Sequence, residues 1–163
     1  MKLSSQEEYG LRCLLQLARQ GPDSTLTILE LSVLEGLSQA NVAKMMRLLR
    51  QGGFVCSARG QAGGYFLARP AADIAVGQVL ATLGGRLFDA EFCKRHSPEQ
   101  NRCNHEKDCS VRGVWELLQS ALDQALNQLM LQDLLSSEVE LLTRRAPVRG
   151  PTRIRGPAPV SAD

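Results

Sequence analysis

Apolar residues recur at helical spacing through the first third of the chain. Residues 5–20 carry the first such run, and Ser5 with Glu8 three positions later forms a capping-box pattern at its start. Thr27 and Ser38 stand at the expected N-caps of two further helices, over residues 28–34 and 39–51. Gly36 separates these two helices. The pattern therefore predicts a helix-turn-helix after one leading helix.

The pattern then changes from helical to strand-like. Residues 54–58 and 65–68 are predicted to form two short strands around a turn that contains three glycines. A hairpin directly after a helix-turn-helix is a wing, and Arg59 at its tip is placed to enter a narrow minor groove. The second helix of the pair would enter the major groove with its N-terminal residues. The residues expected to contact DNA are Ser38, Gln39, Ala40, Asn41, Lys44, Arg47, Arg59, Gly60 and Tyr65.

Two further apolar helical patterns follow, over residues 72–83 and 111–134. A helix over residues 111–134 would span about 36 Å, which is longer than a small domain needs. Part of its wide apolar stripe is therefore expected to bury against a second copy of the chain. A short helical piece is predicted over residues 138–143. The Pro-, Gly- and Arg-rich residues 144–163 are expected to be a disordered tail.

Three cysteines, Cys93, Cys103 and Cys109, fall in one polar segment between these helices. The segment shows no helical or strand period, and a loop of this length usually has a function or is disordered. Thiolates gathered on such a loop can surround one soft metal centre, because sulfur suits zinc and iron–sulfur clusters. Two histidines in the segment, His96 and His105, would let the same residues form a tetrahedral zinc site.

Composition narrows the class of protein. The aliphatic core implied by 44% hydrophobic but only 4% aromatic residues favours helices, and no apolar run is long enough to span a membrane. The start of the chain lacks a signal-peptide pattern, so a cytoplasmic protein with reduced thiols is expected. Five cysteines also argue against a disulfide framework, and Cys13 and Cys56 are interpreted as small buried residues.

Charge supports a nucleic-acid partner by its distribution. Net charge is only +2, but residues 1–70 hold eight Lys and Arg against five Asp and Glu. Residues 71–145 hold eight against eleven, so the basic excess lies in the predicted helix-turn-helix part. No nucleophile–base set or phosphate-binding loop is recognisable, and an enzyme with a small-molecule substrate is not expected.

Residues 48–55 and 57–68, together with residues 74–79, resemble the winged-helix iron–sulfur regulators of the IscR and NsrR type. The positions of Tyr9 and Trp115 agree with that family, and the similarity extends to about residue 135. The resemblance implies a mostly α fold with a small β-hairpin, in which a winged helix-turn-helix domain is followed by a long dimerisation helix. It implies a homodimeric regulator, expected to be a repressor, that binds a palindromic operator in double-stranded DNA.

The resemblance also implies a cofactor. One iron–sulfur cluster per subunit, 2Fe-2S or 4Fe-4S, would be held by Cys93, Cys103 and Cys109, and redox state, nitric oxide or iron supply would change its occupancy. Some relatives take a fourth ligand from a carboxylate on the first helix of the partner subunit, and Glu8 matches that position. His96 and His105 are the local alternatives for this fourth ligand.

The sequence departs from that family in three places. In the recognition helix, Ala40, Ala43 and Lys44 stand where IscR has polar residues that read bases. Nine residues separate Cys93 from Cys103, more than is usual, and Arg112 stands where IscR-like members have a histidine ligand. Arginine stays protonated and cannot bind a metal. Two alternatives without a cluster therefore stay open, which are a zinc-stabilised scaffold and a regulator that senses oxidation through Cys103 and Cys109.

Four segments summarise the expected organisation. Residues 1–83 form the winged helix-turn-helix domain, residues 84–110 the cysteine-rich cluster-binding loop, and residues 111–143 the dimerisation helix with its C-terminal helical piece. Residues 144–163 form the tail.

Overall fold

The computed structural model describes residues 4–22, 24–58, 63–89, 91–96 and 108–143. Within these ranges the chain is mostly helical and carries one antiparallel hairpin, as predicted. No helix of this described part is long and apolar enough to cross a membrane. The elements are α1 Ser5–Gln20, α2 Ile28–Glu35, α3 Gln39–Gln51, β1 Val55–Ala58, β2 Gly64–Leu67, a 3₁₀ turn Ala71–Asp73, α4 Val76–Gly84, α5 Phe92–Arg95, α6 Ser110–Asn127, a 3₁₀ turn Leu131–Leu135 and α7 Glu138–Thr143.

The cap of α1 lies one residue earlier than the sequence pattern suggested. The backbone N–H and the hydroxyl of Ser4 donate to Glu7, at 2.8 and 2.9 Å, so the prediction of Ser5 with Glu8 as the capping box was wrong. Glu7 is fixed in this role because it also packs closely on Gly84, where an added Cβ would collide with it. Glu8 is left exposed and free of any capping role.

The predicted caps of α2 and α3 are confirmed. The Thr27 hydroxyl accepts the amide of Glu30 at 3.2 Å, and the Ser38 hydroxyl accepts the amide of Asn41 at 3.3 Å. Gly36 ends α2 in the left-handed conformation, with φ of 64°, which a glycine adopts without strain. The two helices pack against each other as a helix-turn-helix.

One hydrophobic core joins α1–α4, the hairpin and the 3₁₀ turn Leu131–Leu135. It includes Cys13, whose predicted burial is confirmed, and it also includes Leu131 from beyond α6. Burying such side chains completely stabilises a fold by about 1.5–3 kcal/mol each. The fully buried larger members are Leu14, Leu17, Leu31, Val42, Met46, Leu49, Val55, Ile74, Val79 and Leu131.

The predicted helix over residues 72–83 is split. A 3₁₀ turn at Ala71–Asp73 is followed by an extended step, and α4 begins only at Val76. The chain is extended between the 3₁₀ turn and α4 because its backbone here pairs with the chain after α6. The amide of Val76 donates to the carbonyl of Leu129, and the amide of Leu131 donates to the carbonyl of Ile74, both at 2.8 Å.

The same pairing shortens the predicted helix over residues 111–134. Helix α6 ends at Asn127, so its 18 residues span about 27 Å. Beyond it, Met130 forms an antiparallel bridge with Ala75, and Leu131 enters the core. The apolar residues that extended the helical pattern therefore serve the core of the preceding domain.

The wing is a two-stranded hairpin in which Val55 pairs with Leu67 and Ala58 with Gly64. Successive side chains of a strand point to opposite faces. Val55 is buried, so the next residue, Cys56, is exposed, and the prediction that Cys56 is buried was wrong. Leu26 extends the hairpin, since its amide and carbonyl both bond to Tyr65 at 3.0 and 2.8 Å.

Candidate DNA-binding surface and metal centre

Helix α3 presents one polar face to solvent. Its opposite face is buried in the core through Val42, Met45, Met46 and Leu49. The residues that the sequence predicted to contact DNA lie on the exposed side, and they are Ser38, Gln39, Ala40, Asn41, Lys44 and Arg47. The face is therefore available to a groove of DNA without any change in the core.

The cations on this face are not neutralised by the described part of the chain. Lys44, Arg47 and Arg50 are exposed and form no ion pair with any described residue. Unpaired Lys and Arg side chains can neutralise phosphates and release counterions, which supplies most non-specific DNA affinity.

The wing is described at its base. Arg59 and Gly60, predicted at its tip, lie outside the described residues. Tyr65 is half-buried and packs against the core, and its backbone carries both bonds to Leu26. Its side chain thus contributes to the base of the wing.

A polar brace fixes α1 against the end of α2. The Arg12 guanidinium donates to the Glu35 carboxylate at 2.5 Å and to the Glu35 carbonyl at 3.2 Å. Gln16 donates to the other carboxylate oxygen at 2.5 Å. The Glu35 side chain is only 6% exposed, and its hydrogen bond with Arg12, together with its charge, raises the pKa of Arg12. The brace therefore ties α1 to the C-terminal end of α2.

Two of the three predicted cluster cysteines are described, one on each side of residues 97–107. Cys93 is half-buried on α5. Cys109 is the N-cap of α6, where its sulfur accepts the amide of Arg112 at 3.4 Å. Neither forms a disulfide within the described part of the chain. Cys103 and His105 lie outside the described residues.

An aromatic cluster joins these two helices, and we call it the aromatic clasp. The ring of Phe92 lies 5.2 Å from Phe88, 6.0 Å from Trp115 and 4.2 Å from His96, measured between centroids. Trp115 is six residues after Cys109, or about 9 Å along the helix axis. Since Phe92 adjoins Cys93 in sequence, the clasp joins α5, which carries Cys93, to α6, which Cys109 caps, and we call this region the cysteine corner.

Gln119 adds a polar latch that the sequence interpretation missed. It is buried on α6, accepts the amide of Phe88 at 3.0 Å and donates to Asp123 at 2.9 Å. Asp123 in turn forms an ion pair with Arg86. The signal in the sequence was a glutamine inside an apolar helical stripe, which is the pattern expected of a buried, hydrogen-bonded polar group.

The described residues contain no preformed metal centre. No three His, Cys, Asp or Glu side chains among them lie together as a metal site. Glu8 on α1 and His96 beside α5 are therefore not gathered around Cys93 and Cys109 within the described part of one chain. The donor types nevertheless suit a soft metal, because two partly buried thiols flank the segment that contains the third cysteine.

Helix α6 carries a second apolar surface, which we call the α6 stripe. It consists of Val111, Val114, Leu117 and Leu118, which are 59, 51, 74 and 45% exposed. A neighbouring side of α6 contacts Phe88 and Phe92 through Gln119 and Trp115. An exposed apolar patch of this kind marks an interaction surface.

A winged helix-turn-helix with an open basic face defines the class as DNA-binding regulators. A family model named Rrf2, described as an iron-dependent transcriptional regulator, matches residues 3–137. The chain belongs to the Rrf2 family of transcriptional regulators, and the predicted resemblance and fold class are confirmed. The matched relatives are regulators of transcription rather than enzymes.

Two curated relatives illustrate the match. Protein rrf2 of Nitratidesulfovibrio vulgaris is 33% identical over 135 residues, which is 83% of this chain and 87% of that protein. The regulator IscR of Vibrio atlanticus is 31% identical over 135 residues, which is 83% of this chain and 75% of that protein.

Solved structures agree with the fold. T. potens IscR superimposes with a TM-score of 0.63 at 27% identity, covering 83% of this chain and 86% of that one. CymR, the global cysteine regulator of B. subtilis, gives a TM-score of 0.65 at 23% identity, covering 82% and 95%. The second likeness supports the fold alone.

Proposed function

We propose that this regulator is a homodimeric repressor that binds an iron–sulfur cluster in each subunit and changes its promoter binding with the state of that cluster. The observation that carries the proposal is the aromatic clasp, which joins the helix that carries Cys93 to the helix that Cys109 caps. Membership of a family described as iron-dependent supports it. So does the similarity to two proteins named IscR.

Cys93, Cys103 and Cys109 would supply three thiolates, and a fourth ligand that is not a thiolate would complete the site. The cluster, 2Fe-2S or 4Fe-4S, would supply a centre that reacts with oxidants and nitric oxide. Glu8 of a second subunit is the fourth ligand that the family resemblance suggests. Its exposure on α1 is compatible with donation to another chain.

The path from the thiols to DNA runs through α6. The clasp and the Gln119 latch fasten the cysteine corner to this helix, while the pairing of Met130 with Ala75 fastens its other end to the DNA-binding domain. Binding a cluster through Cys93 and Cys109 would therefore change how α6 sits on both the partner and the helix-turn-helix.

The α6 stripe supports the homodimer. Two copies that pack through it would place two α3 helices at a fixed separation. Palindromic half-sites lie about 34–36 Å apart, so this separation sets operator affinity. The exposed residues of α3 would read the major groove, and Arg59 the minor groove.

The test is anaerobic purification followed by an absorption spectrum and by iron, sulfide and zinc assays on one sample. We expect a brown protein with iron and sulfide, and an operator affinity that changes when the cluster is removed. A colourless protein that reconstitution cannot colour would overturn the cluster proposal. Zinc at one per chain would then identify the zinc-stabilised alternative.

A thiol-redox regulator is the second candidate, and the position of Cys109 favours it. Its sulfur accepts a backbone amide at the first turn of α6, a setting found at reactive thiols. Treating the metal-free protein with peroxide and mapping disulfides separates the two. A reversible Cys103–Cys109 bond that alters DNA binding would support this candidate.

A further inference from the structure

A cavity of about 300 Å³ lies between helices α4 and α6, beside the start of α1. Helix α4 lines it with Gly77, Leu80, Ala81 and Gly84, whose spacing places them on one face of the helix. Glycine and alanine leave most of this face without a large side chain, so the space between the two helices is not filled. Cavities that hold ligands begin at about this volume, which indicates a small ligand.

The cavity is closed at one end and open at the other. Helices α4 and α6 are in close contact at Gly77, where an added Cβ would lie 2.7 Å from Oδ1 of Asn127 and 3.2 Å from Cβ of Leu126. At the far end of α4, Gly84 and Arg86 are exposed, so the cavity opens there.

The open end carries a carboxylate oxygen that no described residue engages. Oε2 of Glu7 accepts both bonds from Ser4. Its Oε1 lies against Gly84 and has no hydrogen bond or ion pair within the described part of the chain. The other charges at this end are already paired, because Arg86 donates to Asp123. Two carboxylates against one guanidinium leave a net negative charge here.

The end of helix α4 adds to this negative potential. The last carbonyl groups of a helix carry a partial negative charge that favours a cation. Helix α4 ends at Gly84, beside Glu7, and has no basic residue in its last turn. The open end therefore suits an ammonium group, while the apolar walls suit a short hydrocarbon chain.

We propose that this cavity binds a small aliphatic amine. Its ammonium group donates to Oε1 of Glu7, and its hydrocarbon chain packs between Leu80, Leu122 and Leu126. None of the four residues of the α6 stripe lines the cavity, so a dimer that packs through the stripe leaves the site accessible. The inference goes beyond the proposed function and does not require a cluster.

The experiment titrates the full-length protein with hexylamine, and with hexanoate and 1-hexanol as anionic and neutral probes of similar length. Calorimetry measures the affinity. Glu7→Gln removes the charge but keeps a side chain that can cap α1, and Ala81→Leu fills the cavity. Glu116→Gln is the matched control, since Glu116 is an exposed residue of α6 that does not line the cavity.

We expect hexylamine to bind once per chain with a Kd of about 1 mM or tighter. The other two probes should bind at least about tenfold more weakly, because they lack the hydrogen bond from a charged group. Glu7→Gln should weaken hexylamine binding about tenfold for the same reason. Ala81→Leu should abolish binding, and Glu116→Gln should change the affinity by less than about twofold.

Methyl NMR of leucine-labelled protein locates the probe. The signals of Leu80, Leu122 and Leu126 should shift on titration with hexylamine, whereas that of Leu29 on α2 should not, because Leu29 does not line the cavity.

Four outcomes overturn the inference. They are the absence of saturable binding, equal affinities for the three probes, an unchanged affinity in Glu7→Gln, and shifts confined to Leu117 and Leu118 of the α6 stripe. Each leaves the proposed cluster function as it stands, because iron and sulfide are assayed separately on the same protein. Far-UV circular dichroism checks folding, and the three probes on the wild type decide even where a variant does not fold.

Discussion

The DNA-binding end and the cysteine corner of this molecule are held together by different means. Around α1–α4 the chain encloses a core of fully buried aliphatic side chains and closes it with Leu131. At the corner, α5 contacts α6 through Phe92 and Trp115, and residues 86–88 before α5 are held to α6 by the buried Gln119 and by a largely exposed ion pair between Arg86 and Asp123. Surface ion pairs contribute about 0–1 kcal/mol each. The comparison indicates a rigid DNA-binding domain joined to a cysteine corner. A bound group can change the conformation of this corner at a small cost in free energy.

Leu131→Ala tests how far the rigid part extends. Leu131 is fully buried although it lies beyond α6, so truncation should lower the free energy of unfolding by about 2–5 kcal/mol. Urea denaturation measures the change. Leu135→Ala in the same 3₁₀ turn is the control, because Leu135 is 44% exposed. Equal, small losses from both would mean that this segment is not part of the core.

Cys13 tests the burial of the core in the DNA-binding domain through the pKa of its thiol. Burial raises the pKa of Cys13 from its ordinary value of 9.0 to about 11. The unfolded chain therefore loses this proton first, and stability should fall by roughly 2–3 kcal/mol between pH 9 and pH 11. Cys13→Ala should flatten that part of the pH profile in chemical denaturation. A wild-type profile identical to that of the variant would contradict the prediction.

Val114→Asp tests whether the α6 stripe packs against a second copy of the chain. The side chain is 51% exposed in one chain, so the fold should survive, while a buried charge at a dimer interface should weaken association at least about thirtyfold. Sedimentation over a range of concentrations measures it. Ser120→Asp, exposed on another side of α6, is the control. An unchanged dimer would exclude the α6 stripe as the interface.

Lys44→Ala should give the smallest change. An exposed phosphate contact contributes about 1 kcal/mol of DNA affinity, and its loss should reduce the slope of log affinity against log salt by about 1. Fluorescence anisotropy at several salt concentrations measures both. Lys94→Ala is the control, since Lys94 pairs with Glu91 at 3.0 Å in the corner. Equal effects from the two would mean that α3 does not face DNA.

Much of the DNA-binding domain could be predicted because its sequence signals act locally. The caps at Thr27 and Ser38, the turn at Gly36 and the spacing of apolar residues in α3 each act within one or two turns of chain. Neighbouring candidates were harder to separate. Ser5 with Glu8 and Ser4 with Glu7 have the same spacing, and only the contact of Glu7 with Gly84 decides between them.

The ends of α4 and α6 could not be predicted from local pattern. Both are set by hydrogen bonds between Ile74–Val76 and residues 129–131, which lie more than fifty positions apart. The helical spacing of apolar residues continues past Asn127 because Leu131 is apolar for another reason. Its side chain packs in the core that other elements form. The ligand set at the corner stays a prediction, since Cys103 lies outside the described residues.

The bridge between Ala75 and Met130 has a mechanical consequence. It fixes the C-terminal end of α6 to the DNA-binding domain, while Cys109 caps the opposite end. Helix α6 can therefore rotate about the end that is fixed. A tilt of about 5° at the pivot displaces the tip of a helix about 27 Å long by about 2 Å. Conversely, a displacement of the Cys109 thiol by 2 Å corresponds to a rotation of a few degrees at the fixed end of α6. That end lies beside α4, which packs directly on α3.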